Sequence, residues 1–428
     1  MKKKHSGTEQ LLQVAGNGLL HRRAFLSGTG AVLGAAGLQL LTARPLAAAP
    51  AGMPESMTVP GSGVRPYGSR SQYESGIVRS GGAAPGTVGA GGTRTPLESL
   101  EGVITPSALH FERHHNGVPD IKPDQHQLLI HGLVKRPLIF NLETLARYPM
   151  VSHIRFIECS GNSSANINPA PLPWTAGGLH GLVSCSDWTG VPLSVLLDEA
   201  GVQPQAQWIV AEGADAAALD RSVPLAKAMD DALVALYQNG ERLRPENGYP
   251  MRLLLPGWEG NTNVKWLHRI KVTAAPVMSR EETAKYTDVL PDGKAMMFTF
   301  PMGVKSVITS PSGKQKMQGP GIYQISGIAW SGGGRIRRVE VSADGGHSWG
   351  EAALCESVLP KALTRFRMAW RWDGGPALLQ SRAIDETGAI QPARGALLAE
   401  RGAAYHYHFN AIQSWAVSAR GEVGNVYA

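Results

Sequence analysis

Beyond residue 290, apolar and polar positions alternate in short runs between turn residues, at 304–309, 321–330, 335–342, 349–355, 364–372, 378–384 and 406–417. Alternation with period two puts every second side chain on one face of a strand. Strands at this spacing predict an antiparallel β-sandwich, and Asp344-Gly345 after 336–342 is a hairpin signal. Before residue 290 the pattern is mixed. Apolar runs at 127–133, at His153, Ile154, Phe156 and Ile157, and at Trp208-Ile209-Val210 read as strands. Trp188-Thr189-Gly190-Val191-Pro192 opens a helix running to about Ala200, with Pro192 near its first turn and Gly201 after its end. The chain therefore divides into an α+β domain over 95–288 and an all-β sandwich over 289–428. Residues 51–94 are rich in Gly, Pro and Ser with little apolar periodicity, and read as an arm or tether, not a domain.

The N-terminus changes the picture. Lys2, Lys3 and Lys4 lead to His21-Arg22-Arg23-Ala24-Phe25-Leu26, then to an apolar, Gly- and Ala-rich run over 31–41 and to Ala47-Ala48-Ala49. Basic region, arginine pair, weak apolar run and small-residue cleavage site, in that order, read as a twin-arginine export signal. The run is too short and glycine-rich to span a bilayer comfortably. Residues 1–50 are therefore excluded from the expected fold, the expected location is the periplasm, and no membrane span is expected in the mature chain. This route carries folded proteins, which makes a bound cofactor more probable.

Charge and cysteines exclude several classes. The formal net charge is +7, part of it in the leader, and no Lys/Arg block with interleaved aromatics follows it, so nucleic-acid binding is not expected. Three cysteines, Cys159, Cys185 and Cys355, are too few and too scattered for a disulfide framework, a zinc site or an iron–sulfur cluster, and no Cys-x-x-Cys-His binds a c-type haem.

The candidate chemistry sits at Arg155-Phe156-Ile157-Glu158-Cys159-Ser160-Gly161-Asn162, where a buried strand breaks into a polar turn. Cys159 there suits either a buried small hydrophobe or a thiolate held by backbone N–H groups and open to a ligand. The small residues after it favour the second. Arg113 and His115 fall on alternate positions, so an extended segment presents both on one face, suited to an anion or simply to solvent. Arg252 and Lys265 lie at strand ends beside glycine turns, an apt setting for phosphate.

Glu-Cys-Ser-Gly-Asn resembles the Cys-(Ala/Ser)-Gly-Asn turn of the molybdopterin-dependent sulfite oxidase family, and further matches recur in order from about residue 110 to the C-terminus. The resemblance implies a molybdenum–pterin cofactor with Cys159 as the protein's metal ligand. Phe111-Glu112-Arg113-His114-His115 is similar to the segment that contacts the pterin and lends an arginine to the substrate pocket, which assigns Arg113 and His115. Asp215 aligns with a pterin-binding acid. Asn247-Gly248-Tyr249-Pro250-Met251-Arg252 resembles a His-Gly-(Phe/Tyr)-Pro-x-Arg pattern with Asn247 in place of histidine, and Asn263-Val264-Lys265-Trp266 resembles the segment that completes the phosphate and pterin contacts. Tyr286 takes the place of a tyrosine aimed at the metal's oxo ligand, although a tyrosine packed in the core fits the local sequence as well. The resemblance assigns Arg113 and Tyr286 catalytic roles, and the second domain is similar to the family's immunoglobulin-like dimerisation domain.

The chain encodes no second redox centre, which singles out members of the family without a fused haem domain. The tail His406-Tyr407-His408-Phe409-Asn410 most resembles the sulfane dehydrogenase branch, in the thiosulfate-oxidising Sox system. That implies a c-type cytochrome subunit as electron acceptor, a sulfur carrier protein as substrate, and a homodimer or a heterotetramer with the cytochrome. Two arginines that surround sulfite in the sulfite oxidases have no counterpart: Ser164 stands at one, and the 406–410 stretch lacks the other. Oxidation of carrier-bound sulfane sulfur therefore leads, with dehydrogenation of free sulfite as the alternative and a cofactor-free binding sandwich third. A methionine sulfoxide reductase of the same fold lacks the second domain.

Overall fold

The computed structural model describes residues 13–21, 53–85, 87–402 and 405–428. The arginine pair, the apolar run over 31–41 and the small-residue site over 47–49 lie outside the described residues. Among the described residues no helix is long and apolar enough to cross a membrane.

The first domain is built on two five-stranded sheets. In one, Leu267–Thr273 runs between Trp208–Gly213, antiparallel, and Leu128–Gly132, parallel, with Asp220–Pro224 and Leu138–Phe140 at the edges. In the other, Val151–Glu158, Val183–Pro192 and Leu233–Gln238 lie side by side, and Arg252–Leu254 pairs with the last. Leu128, Ile130, Ile209, Val234 and Ile270 meet the helix Leu193–Ala200 in one apolar cluster. That helix ends on Gly201 in the left-handed region, as the sequence predicts. It starts later than predicted, because Trp188 belongs to the preceding strand and is fully buried there.

The second domain is the expected sandwich. One sheet runs Thr364–Trp372, Gly321–Trp330, Lys305–Ser310; the other runs Gly350–Glu351, Ile336–Ser342, Ala377–Asp385, Ser414–Val417, Val423–Val426. Its core, with Trp330, Trp370 and Trp415 fully buried, continues without a break into the first domain through Phe156, Leu179, Val183 and Cys185.

Three expectations change. The run 406–417 is a strand only at Ser414–Val417, because its earlier polar groups bond the first domain: the His408 N–H donates to the Ser160 carbonyl at 2.7 Å and the His406 N–H to Asp288 at 2.8 Å. The arm is not wholly a tether, since Ser80–Ala83 and Gly91–Arg94 form a three-stranded sheet with Glu112–His114. Finally, residues 13–21, set aside with the leader, form a hairpin (Gln13–Ala15, Leu19–Leu20) on the edge of the sandwich sheet, with Leu19 fully buried opposite Trp370.

Candidate active site

The strand Val151–Glu158 buries Phe156 and Ile157 and delivers the half-buried Cys159 at its end. The turn is fixed by its backbone: the Cys159 N–H donates to Leu182 O at 2.9 Å and the Asn162 N–H returns to Cys159 O at 2.8 Å. Gly161 borders the space over the thiol: a Cβ on it would lie 3.9 Å from the sulfur and 4.0 Å from His406 Nε2, both ordinary contact distances. Burial pushes the thiol up, while the Gly161 N–H and the Arg113 charge pull it back toward the thiolate. A bound metal cation would complete that reversal.

Glu158, next to the cysteine, is clamped from the second domain. Its carboxylate accepts from Lys305 Nζ at 3.2 Å, Trp330 Nε1 at 2.6 Å and Asn162 Nδ2 at 2.8 Å, all in full burial. Lys305 also donates to Ser163 Oγ at 2.6 Å and to the Phe409 carbonyl at 2.8 Å. Ser163 then donates its own proton to His180 Nδ1 at 2.7 Å, and His180 Nε2 must donate to Gln413 Oε1 at 3.0 Å. One directed chain thus runs from the sandwich, through the cysteine turn, and back to the sandwich.

A second cluster has, among the described residues, no carboxylate bonded to its two cations. Arg252 is buried and, among the described residues, bonds only the Asn247 and Asn263 carbonyls and leaves its Nε without a hydrogen-bond partner. Burial holds its guanidinium down at about 9. Lys265 Nζ lies 2.7 Å from His114 Nδ1 and bonds the Arg113 and Glu246 carbonyls; burial and then Arg252 hold it well below its usual value. The Lys265 proton fixes the His114 tautomer, so Nε2 donates to Glu112 at 2.6 Å. One buried and one half-buried cation held close together, with no carboxylate bonded to either among the described residues, carry an electrostatic cost. A phosphate between them would offset that cost, so the donor set fits a phosphate-bearing cofactor whose metal takes the Cys159 sulfur, a soft ligand for a redox metal.

Tyr286, in the left-handed region at φ +51°, bonds His115 Nε2 at 2.9 Å. Its ring lies 4.9 Å from the Arg221 guanidinium and 5.5 Å from the Tyr407 ring. Arg221 is held by Glu282 at 2.9 Å and Glu259 at 3.1 Å, and Glu259 meets His408 at 3.2 Å. Burial, followed by the Cys159 charge, raises the Tyr286 hydroxyl, which therefore keeps its proton at neutral pH.

Cys159, Arg252, Lys265, His115 and Tyr286 are thus brought into one neighbourhood. The remaining sequence-predicted residues make contacts within the protein. Asn263 spends its amide on the Leu255 N–H and on the Trp258 and Glu259 carbonyls, and the Val264 side chain is buried in the core. Asn247 donates to Gln238 at 2.9 Å, and Asp215 accepts from its own loop at the Leu219 N–H. Arg113 is exposed and turned onto the Gly91 and His114 carbonyls. The sequence reading missed His114, Glu158, Lys305, Arg221 and Glu259, each of which has a partner distant in sequence.

Beside the cysteine turn opens a cavity of about 510 Å³, lined by Gly161, Ser164, Leu172, Trp174 and His406 and, from the arm, Arg94.

Residues 115–281 match the family described as oxidoreductase molybdopterin binding domain, and residues 297–414 match the Mo-co oxidoreductase dimerisation domain. The chain is 32% identical over 301 residues to the mitochondrial sulfite oxidase of Rattus norvegicus, which covers 65% of this chain and 53% of the relative. It is 31% identical over 301 residues to an NADH nitrate reductase of Ulva prolifera, covering 64% of this chain and 34% of that protein. The chain thus spans about a third to a half of these curated relatives. The crystal structure of the sulfane dehydrogenase SoxCD from Paracoccus pantotrophus matches with a TM-score of 0.85 at 46% identity, over 88% of this chain and 97% of that one.

Proposed function

We propose a function from one premise: the chain belongs to the molybdopterin-binding oxidoreductases with a Mo-co dimerisation domain, the family of sulfite oxidase. On this reading it oxidises sulfane sulfur carried on a protein cysteine, in the periplasm after twin-arginine export, and passes the electrons to a separate c-type cytochrome. Its high identity to a sulfane dehydrogenase over nearly that chain's full length supports the substrate class. The cavity beside Cys159 carries the reading further. Ser164 leaves the cysteine loop neutral, and Leu172, Leu179 and Trp174 form an apolar wall beside Arg94, which suits a carrier arm ending in a single charge better than a free dianion. Each lost charged contact to an oxyanion removes about 1.5–3 kcal/mol.

Cys159 would hold the metal, Arg252 and Lys265 the pterin phosphate. The bound molybdenum–pterin group would supply the two-electron oxidation and the oxygen transfer. Each step on a persulfide takes one oxygen from water and releases two protons and two electrons. The chain's own part is to hold and orient: Glu158 fixes the cysteine turn, and Tyr286 keeps a protonated hydroxyl beside His115. Arg113 contributes positive charge felt at Cys159.

Metal analysis and kinetics test this. The purified protein should contain molybdenum, and Cys159→Ser should lose or change that signal and its activity while remaining folded. With an added cytochrome, carrier-bound persulfide should turn over efficiently. A low micromolar KM for free sulfite with no turnover of the carrier substrate would move the enzyme to sulfite dehydrogenation. A haem absorption band retained by the denatured chain would contradict the separate acceptor.

A further inference from the structure

Arg94 ends the arm strand Gly91–Arg94, which is held edge-on by Glu112–His114 through the register Gly91 with His114 and Gly92 with Arg113. This pairing carries Arg94 to the rim of the cavity beside the cysteine turn. Its guanidinium lies 5.7 Å from the Trp174 ring, a cation–π contact that orients it. Among the described residues no carboxylate or carbonyl bonds that guanidinium, although it is half-buried.

The arrangement on the neighbouring strand is the reverse. Arg113 is exposed and already committed to two backbone carbonyls. Ser164, which lines the same cavity, is neutral. His406 lines the cavity from the C-terminal tail, within reach of Gly161. Burial lowers the Arg94 guanidinium, and Gly161, which lines the same cavity, also borders the Cys159 sulfur. A guanidinium with five free donors can take two oxygens of a sulfonate in parallel or the single terminal sulfur of a persulfide.

We propose that Arg94 is the anion-receiving, specificity-determining residue of this cavity, binding the charged terminal sulfur group of the substrate while the Leu172–Trp174 wall takes the apolar part of the carrier arm. This deepens the proposed function and rests on it for the identity of the carrier arm, but not for the anion. One cation against an apolar wall matches a monoanion on an aliphatic stem. A small, fully hydrated dianion binds there more weakly, because it gives up more solvent than one guanidinium replaces, so sulfate probes the charge of the site alone. The arm, which sets the pocket's charge, is then part of the site.

The test uses the full-length, metal-loaded enzyme and its Arg94→Gln and Arg94→Lys variants. Sulfate binding is measured by titration calorimetry, alongside KM, kcat and molybdenum content. Arg94→Gln should weaken sulfate binding and raise KM for the anionic substrate by roughly 10- to 100-fold, as expected for loss of one charge-assisted contact. The change should fall mainly on KM, Arg94→Lys should recover part of it, and molybdenum content should stay at the wild-type level. Wild-type sulfate affinity and KM in Arg94→Gln would overturn the assignment. So would loss of molybdenum or folded protein in both variants, which would make Arg94 a structural residue. The substrate reading fails separately: wild-type preference for free sulfite, with sulfate affinity still lost in Arg94→Gln, keeps Arg94 as the anion contact and changes only the substrate.

Discussion

At the scale of single residues, buried histidines set the acid sensitivity. His110 and His180 are both held at about 3, by burial first in each case, with Lys305 adding to it at His180. Both are therefore neutral in the folded protein and titrate near their ordinary value of 6.5 when unfolded. Below 6.5 the unfolded chain binds more protons, so stability is fully present above that pH and is lost as pH falls from 6.5 toward 3. Each histidine contributes a slope of about 1.4 kcal/mol per pH unit in that window. Protonating His180 would also break the proton-directed contact from Ser163 and put a cation near Lys305. Urea unfolding at pH 7 and pH 5 should show the loss, and His180→Gln should shrink the difference between the two by about 2 kcal/mol. An unchanged difference would mean that His180 does not titrate on unfolding. Little of this was legible in the sequence. A histidine after Gly177-Gly178-Leu179 gives no local sign that Ser163 and Gln413 fix both its nitrogens. Cys159 was legible, because a buried run ending in Ser-Gly-Asn states the geometry locally.

Whole elements were legible where their own pattern specifies them and illegible where a partner does. The sandwich strands at 321–330 and 364–372 carry a clear alternation and were placed at their observed bounds. The arm strand Gly91–Arg94 carries none; its conformation comes from pairing with Glu112–His114, so a reading of local periodicity sees only a tether. The hairpin over 13–21 is the same case. Asn17 and Gly18, both at positive φ, make its turn, and Ala15, Leu19 and Leu20 are its buried side chains. Its bonds are to the sandwich: Trp370 Nε1 donates to Asn17 O at 2.8 Å, the Arg371 N–H to Gly18 O at 2.9 Å, and Asn17 Nδ2 to Ala343 O at 2.8 Å. A chain that starts at Met53 should fold and bind its cofactor, since none of these contacts reaches the cysteine turn. It should expose the edge of Thr364–Trp372, however. Hydrogen exchange at the Arg371 amide should be slow in the full-length chain and at least tenfold faster in the shortened one. Equal protection would mean that the hairpin does not occupy this edge in solution.

For the whole molecule, the two domains act as one body around the cysteine turn. Their apolar cores are continuous from Phe156 and Val183 to Trp330 and Trp370, and the Phe156 N–H donates across the boundary to Lys361 O at 3.0 Å. The Glu158–Lys305 pair lies at the centre of this interface with both side chains 1% exposed. Buried pairs are weak evidence of net stabilisation, because desolvating two charges costs about as much as their attraction returns. Breaking one is another matter, since the survivor stays buried and charged. Glu158→Gln would leave the Lys305 ammonium facing an amide, with an expected loss of about 3–5 kcal/mol. The side chain also bonds Asn162 and Trp330, so the change should reach the metal ligand one residue away. Two outcomes are expected together: a single calorimetric unfolding transition in the wild-type protein that moves down in temperature without splitting, and a reduced molybdenum content in the purified variant. If the domains were merely tethered, the variant would show two separated transitions, with the sandwich melting at its wild-type temperature. That result would sever the link between the second domain and the cysteine site.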